Sequence, residues 1–237
     1  YAINRYLQAS GCPTNDRVSE SEAHIDLADA TCTRATDLLD KMYAGKALST
    51  QGIFDGDAAA EGQNLVMSPG AVWWGNYLFR DTWKIPAGQM TAAAPLPWDG
   101  ESEPSTGNEG GGLWGASSHI TGKQLENTLT FMKFVNTDPR WQVDLSTGLP
   151  GYGPVQDQWL EKLQADAYFA DVATTQESFK SALSVVQPYS YMLYDTGSVW
   201  TETVSPTLIS GGNVTDAITK FGDELVNQAK SVGYTVQ

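Results

Sequence analysis

Trp73 and Trp74 stand side by side in the run Leu65-Val66-Met67-Ser68-Pro69-Gly70-Ala71-Val72-Trp73-Trp74-Gly75-Asn76-Tyr77-Leu78-Phe79. Paired indoles followed by Gly75 and Asn76 suit one chemistry above others, the stacking of a flat apolar face. The apolar run ending in Pro69-Gly70 reads as a strand over 65–67 closing in a turn. Successive side chains of an extended segment leave on opposite faces, so the two indoles cannot both enter one core. A ligand with apolar C–H faces and a polar rim, such as a sugar ring, fits that arrangement. The competing reading makes both indoles core, where most Trp surface lies.

Other chemistry finds less material. His24 and His119 are the two histidines of the chain, and no Gly-x-Ser-x-Gly, His-Glu-x-x-His or phosphate loop accompanies them. They read as structural or solvated. A glycosidase needs only two carboxylates, and Asp99, Glu101, Glu103 and Glu109 lie near Trp98 and Trp114. In a Gly/Pro/Ser-rich stretch of an acidic chain, their plainer reading is a solvated surface. Asp55, Asp57 and Glu61 lack the full ligand pattern of a calcium loop and read as surface charge. Aromatic groups are what remains. Five of the eight Trp fall between positions 73 and 114, and Trp200 lies among Tyr189, Tyr191 and Tyr194. Aromatics clustered in turns point to stacking on a neutral polyol, with amides and carboxylates meeting its hydroxyls.

The 237 residues are 41% hydrophobic, enough for a substantial core in one or two domains. Lys and Arg number 14 against 28 Asp and Glu, a formal charge of −14. Without any cluster of basic residues, this argues against nucleic acid, whose phosphates are held by Lys and Arg. No segment approaches the roughly 18 to 20 apolar residues of a membrane span. Cys12 and Cys32 are too few for a structural zinc site and too far apart for a redox pair. A local disulfide is the preferred reading, which places the protein outside the cytosol. The chain opens at Tyr1 inside what reads as an ordered element, as a processed product or a fragment would.

Periodicity predicts helices over 21–44, 122–136, 155–168, 176–185, 199–209 and 213–232, with Gly45 stopping the first and Thr121 capping the second. A shorter helix begins at Asp138-Pro139, with proline in its first turn. Residues 92–96 and 113–116 read as short strands flanking a polar loop. The Pro- and Gly-rich stretch 84–119 is bounded by Trp98 and Trp114, so its glycines mark close backbone approaches rather than a linker. There is no internal repeat.

The helix ending at Gly45, the run to Val66-Met67, the turn to Trp73-Trp74, then Ala94-Pro95-Leu96-Pro97, Gly110-Gly111-Gly112-Leu113-Trp114-Gly115, the helix over 125–135 and Gly148-Leu149-Pro150 follow one another in a telling order. That order resembles the C-terminal portion of extracellular solute-binding proteins of carbohydrate ABC transporters, the maltose-binding-protein-like group, from about residue 35 to the end. The resemblance implies an α/β, periplasmic-binding-protein-like two-lobe fold, incomplete here, with the C-terminal lobe and part of the N-terminal lobe. Residues 1–109 and 174–237 then form the C-terminal lobe, and 110–173 belong to the N-terminal lobe after a crossing strand.

The function it implies is capture of a mono- or oligosaccharide in an interlobe cleft and delivery to the permease subunits of an ABC transporter. It implies no catalysis, no cofactor, no metal and no nucleic acid. It also implies an extracellular or cell-envelope lipoprotein whose N-terminal lipid anchor lies outside this chain. The matching site positions are Trp73 or Trp74, Gly111, Gly112, Trp114, Tyr152 and Trp200; the doubled Trp and the cysteine pair depart from the family pattern. A carbohydrate-active hydrolase using the loop carboxylates and a stand-alone carbohydrate-binding module are the alternatives. A truncated N-terminal lobe would weaken ligand binding and expose an apolar face that favours association.

Overall fold

Two apolar clusters organise the protein. The computed structural model describes residues 2–49, 52–53, 58–187 and 191–237. Asp55, Asp57, Tyr189 and Tyr1 lie outside them, as does the side chain of Glu61. Among the described residues no helix is long and apolar enough to cross a membrane.

The first cluster is built on α9 (Val214–Ser231), whose buried Val214, Ala217, Ile218, Phe221, Leu225 and Ala229 recur every three or four residues. That stripe packs on α8 (Thr196–Ile209) and α2 (Ala30–Ala44), with α1 (Ala2–Ala9) against α2. The α8–α9 turn depends on Gly211, at φ +86°, and Gly212, where a Cβ would stand 2.8 Å from the Thr207 carbonyl oxygen. Two groups cap α9: Asn213 accepts from the Asp216 amide, and Asp40 of α2 accepts from the Val214 amide at 2.5 Å and the Thr215 hydroxyl at 2.6 Å.

The helix predicted from residue 21 starts only at Ala30. Residues Glu22–His24 form β2, the middle strand of a small sheet, antiparallel to β1 (Asp16–Arg17) and parallel to β3 (Thr235–Val236). Ala23 is buried there, so long-range pairing overrides local helical periodicity. Asp26 and Asp29 then accept from the Ala28 and Thr31 amides, turning the chain into α2.

The second cluster joins 58–90 to 143–179. Trp74, Leu78, Phe79 and Trp83, around the π-helical segment Gly75–Thr82, pack with Trp159 and Leu160 of α6 (Gln156–Leu163) and with Phe169. Arg80 pairs with Asp166 at 2.5 Å and stacks over Tyr168 at 4.3 Å. The short α3 (Ala58–Glu61) and α7 (Val172–Ser184) border the cluster. Outside it lie α4 (Gly122–Thr137), whose one buried residue is Val135, and α5 (Pro139–Gln142), capped by Asp138. The strands predicted at 65–67, 92–96 and 113–116 are not formed. Val66 is 100% exposed, because none of the described strands lies beside it. Outside the small sheet, extended backbone among the described residues pairs only at the single bridges Met90–Phe169 and Thr106–Val186.

The Pro- and Gly-rich stretch clamps onto α1. Trp98 Nε1 and the Ser105 hydroxyl both donate to the Ala9 carbonyl, at 3.0 and 2.8 Å. Arg34 donates to Ser10, pairs with Glu101 at 2.7 Å and stacks over Trp98 at 4.8 Å. Arg5 pairs with Glu109 at 2.9 Å. Burial still raises the Glu109 carboxyl above its ordinary range, outweighing the opposing attraction of Arg5. A disulfide joins Cys12 to Cys32 and ties the loop after α1 to α2.

Leu225→Ala removes a fully buried side chain at the α9 seam, and it should cost about 2–5 kcal/mol in denaturant unfolding. Because the folded state raises the Glu109 pKa, that group favours folding below its unfolded pKa and loses this contribution as pH rises through the folded value. The parent should therefore lose thermal stability relative to Glu109→Gln as pH is raised through the carboxylate range, read from paired melting curves.

Candidate functional site

Between α1 and the first turns of α8 lies a cavity of about 1480 Å³. One wall is the half-buried ridge of α1, with Asn4, Arg5 and Gln8; the facing wall is α8, with Thr196, Ser198, Trp200, Thr201 and Glu202. The loop that begins at Cys12 contributes Thr14, Asn15 and Asp16, and the clamp segment contributes Gly107 and Asn108. Gly107 is required there, since a Cβ would meet the Gln8 side chain at 2.1 Å.

α8 reaches this position because Asp195 caps it, accepting from the Gly197 amide at 2.9 Å and the Ser198 hydroxyl at 2.6 Å. The Ser198 hydroxyl and then the Gly197 amide hold the Asp195 carboxyl below the usual range. One turn on, Trp200 is half-buried and meets Phe221 edge-to-face at 5.1 Å, so its ring is fixed from behind by the first cluster. The Tyr194 hydroxyl donates to Asn15 Oδ1, and burial pushes its pKa up to about 12, so it stays protonated. Asn15 thereby keeps its amide N–H groups for other partners. Burial also raises Asp16, against the opposing charge of His24.

Chemically the cavity offers the braced Trp200 face, several carboxamides and hydroxyls, one arginine and three carboxylates. Among the described residues no group of three or more His, Cys, Asp and Glu could hold a metal ion. Of the four loop carboxylates, Glu101 and Glu109 are each held by an arginine, and Asp99 and Glu103 are exposed.

The residues singled out in the sequence divide among three places. Trp200 lines the cavity. Trp74 is only 2% exposed and belongs to the second cluster; Gly70 makes this possible, since a Cβ there would stand 2.3 Å from the indole. Trp73 is half-buried and lies edge-on to Trp74 at 6.1 Å. The pair sits at the start of a helical segment, not in a strand, so the alternation of a strand does not apply and both indoles meet the second cluster, Trp74 inside it and Trp73 against it. A Cβ at Gly110, at φ +85°, would stand 2.9 Å from the Trp73 indole nitrogen, and one at Gly148 3.3 Å from the Trp73 Cβ, so Trp73 lies beside the chain neighbours of Gly111 and of the turn carrying Tyr152. Gly111, Gly112 and Tyr152 are exposed, and Trp114, 52% exposed, packs edge-on against Phe131 of α4. Gly107 and Asn108 connect the cavity to Gly110, so Trp73 stands at the far end of that short backbone track.

The sequence reading missed the carboxamides Asn4, Gln8, Asn15 and Asn108, which come from three separate segments. The signals available were Asn15-Asp16 in the loop three residues after Cys12 and Asp195 three residues before Ser198 at a helix start.

No protein family model matches the sequence, and no curated protein matches it. Among solved structures, the chain is similar to the ABC transporter associated binding protein from B. animalis subsp. lactis Bl-04, solved in complex with β-1,6-galactobiose. The superposition has a TM-score of 0.72 and covers 99% of this chain at 14% sequence identity. This chain spans 60% of the length of that protein. With its helix-rich α/β build, the chain has the fold of an ABC transporter associated binding protein over that 60%.

Proposed function

We propose that the protein is a solute-binding component of a carbohydrate ABC transporter, which captures an oligosaccharide outside the cell and presents it to the permease. The observation that carries this reading is the braced indole of Trp200 in a cavity otherwise rich in amides and hydroxyls. Stacking on the indole would supply apolar contact, and Asn4, Gln8, Asn15 and Asn108 would meet the ring hydroxyls. The volume of about 1480 Å³ exceeds the roughly 300–1,000 Å³ of most small-molecule sites, which favours an oligosaccharide over a single ring. The neighbouring structure binds a disaccharide on the same fold. The reading requires no catalytic group, and the arginine-held Glu101 and Glu109 weigh against the hydrolase alternative.

Trp73 is proposed as the indole of the pair that is available to ligand, with Gly111, Gly112, Trp114 and Tyr152 bordering the same cleft. The lobe division, with 1–109 and 174–237 against 110–173, is part of the proposal. The positive φ values of Gly110 and Gly111 and the shallow burial of α4 support a crossing at that point. The second cluster would then straddle the boundary, since it draws 143–169 onto 72–90. Export and attachment to the cell envelope follow from the same reading, and the Cys12–Cys32 disulfide is consistent with an oxidising compartment.

Calorimetry of the purified protein with a panel of neutral oligosaccharides, β-1,6-galactobiose among them, tests the reading; heat with an amino acid or peptide and none with any sugar would overturn it. Trp200→Ala should weaken saccharide binding about tenfold or more, equivalent to roughly 1.4 kcal/mol. Trp74→Ala should instead lower thermal stability, because that indole is core. Reducing the disulfide loosens the wall that carries Thr14, Asn15 and Asp16, so dithiothreitol should lower both saccharide affinity and melting temperature. The loss of stability should be about 3 kcal/mol for a loop of this length.

A further inference from the structure

The charged groups of the cavity are unevenly engaged. Arg5 is its one cationic side chain among the described residues, and it faces three carboxylates, Asp16, Asp195 and Glu202. The Arg5 guanidinium is committed: Nε pairs with Glu109 at 2.9 Å, and Nη1 donates to Gln8 Oε1 at 2.6 Å and to the Asn108 carbonyl at 3.0 Å. Glu109 neutralises it and fixes its plane against the clamp segment. Acidic ligands are usually grasped by a guanidinium whose fork is open to two oxygens, and here that fork is directed to protein partners.

The carboxylates are placed differently. Glu202 is exposed on the α8 wall, close in sequence to the Trp200 ring, and Asp16 sits on the disulfide-tied loop. Asp195 is turned toward the α8 amides, but its charge stays at the mouth. A cavity bordered by one sign of charge repels ligands of that sign and concentrates the opposite one, an effect screened by salt. The overall charge of −14 acts in the same direction.

We propose that Asp16, Asp195 and Glu202 make this cavity select neutral and cationic saccharides against anionic ones, such as oligomers of uronic acids. This rests on the saccharide reading of the site, and the test therefore has one arm that needs no sugar.

In the first arm, the protein is titrated with a neutral galactose oligomer and with the galacturonic acid oligomer of equal length. The neutral ligand should bind at least about tenfold more tightly at low ionic strength, and the gap should narrow as salt is added. The double variant Asp16→Asn, Glu202→Gln should also narrow it; Asp195 is left intact because it caps α8. A uronate oligomer that binds as tightly as the neutral one, or a gap indifferent to salt and to the double variant, overturns the proposal.

In the second arm, the Trp200 share of the fluorescence is obtained as the difference between parent and Trp200→Phe, and is quenched with caesium or with iodide. Caesium should quench it more efficiently, and the double variant should reduce that preference. Equal quenching by both ions, or a caesium preference unchanged in the double variant, overturns the charge selection even if sugars bind. A caesium preference that responds to the double variant, together with no binding of any sugar, supports the charge selection and overturns the saccharide reading.

Discussion

The carbonyl of Ala9, at the C-terminal end of α1, accepts two hydrogen bonds from a single distant segment, one from the Trp98 indole and one from the Ser105 hydroxyl. Helix ends leave carbonyls without partners, and these must be satisfied if the end is to be covered. Here the partners come from a stretch so rich in proline and glycine that no regular element could form from it. That stretch gains its order from α1, and α1 gains a fixed position from the stretch. Arg34 reinforces the joint by meeting Ser10, Glu101 and Trp98 at once. Without this joint, Gly107 and Asn108 would have no reason to pass beside Gln8, and the floor of the cavity would be absent.

The same joint sets the electrostatics. Arg5 and Glu109 are both largely screened from solvent, and each is the principal counter-charge of the other. Desolvation costs more than the pair returns to Glu109, which is why its carboxyl titrates high in spite of the arginine beside it. The pair is thus better regarded as a register device, which selects one seating of the clamp on α1, than as a source of stability. Its effect on the cavity is to commit the arginine to protein partners, leaving Asp195 and Glu202 of the α8 side and Asp16 of the disulfide-tied loop as the carboxylates that border it.

How far the sequence spoke for this architecture depended on the range of the interactions involved. The α9 stripe, the stop at Gly45 and the Asp138-Pro139 start are local patterns, and each was readable. The start of α2 was not, because residues 22–24 are held extended by partners at 16–17 and 235–236, the latter at the far end of the chain. The strands read at 65–67, 92–96 and 113–116 failed for the converse reason: their apolar residues have no neighbouring strand to pair with. In the site, Trp200 could be singled out because an indole near a helix start is conspicuous. The carboxamides around it could not, since Asn and Gln are common surface residues and only the fold brings Asn4, Asn15 and Asn108 to one cavity. Of the tryptophan pair, Trp74 is buried in the second cluster and Trp73 is half-buried against that same cluster, in a helical turn and not in a strand.

The walls of the cavity come from the two extremes of the chain. The bond from the Tyr43 hydroxyl to the Leu208 carbonyl closes a loop of 165 residues, and the bond from the Val214 amide to Asp40 one of 174. Closing loops of that length costs chain entropy before any contact repays it, and the cost exceeds that of the shorter loops closed in the second cluster. The more local contacts of the second cluster can form without these closures, and a partly folded chain can hold much native structure while having no cavity at all. Formation of this cavity is therefore a property of the finished chain, and it reports the joining of distant segments, not the presence of the local helices.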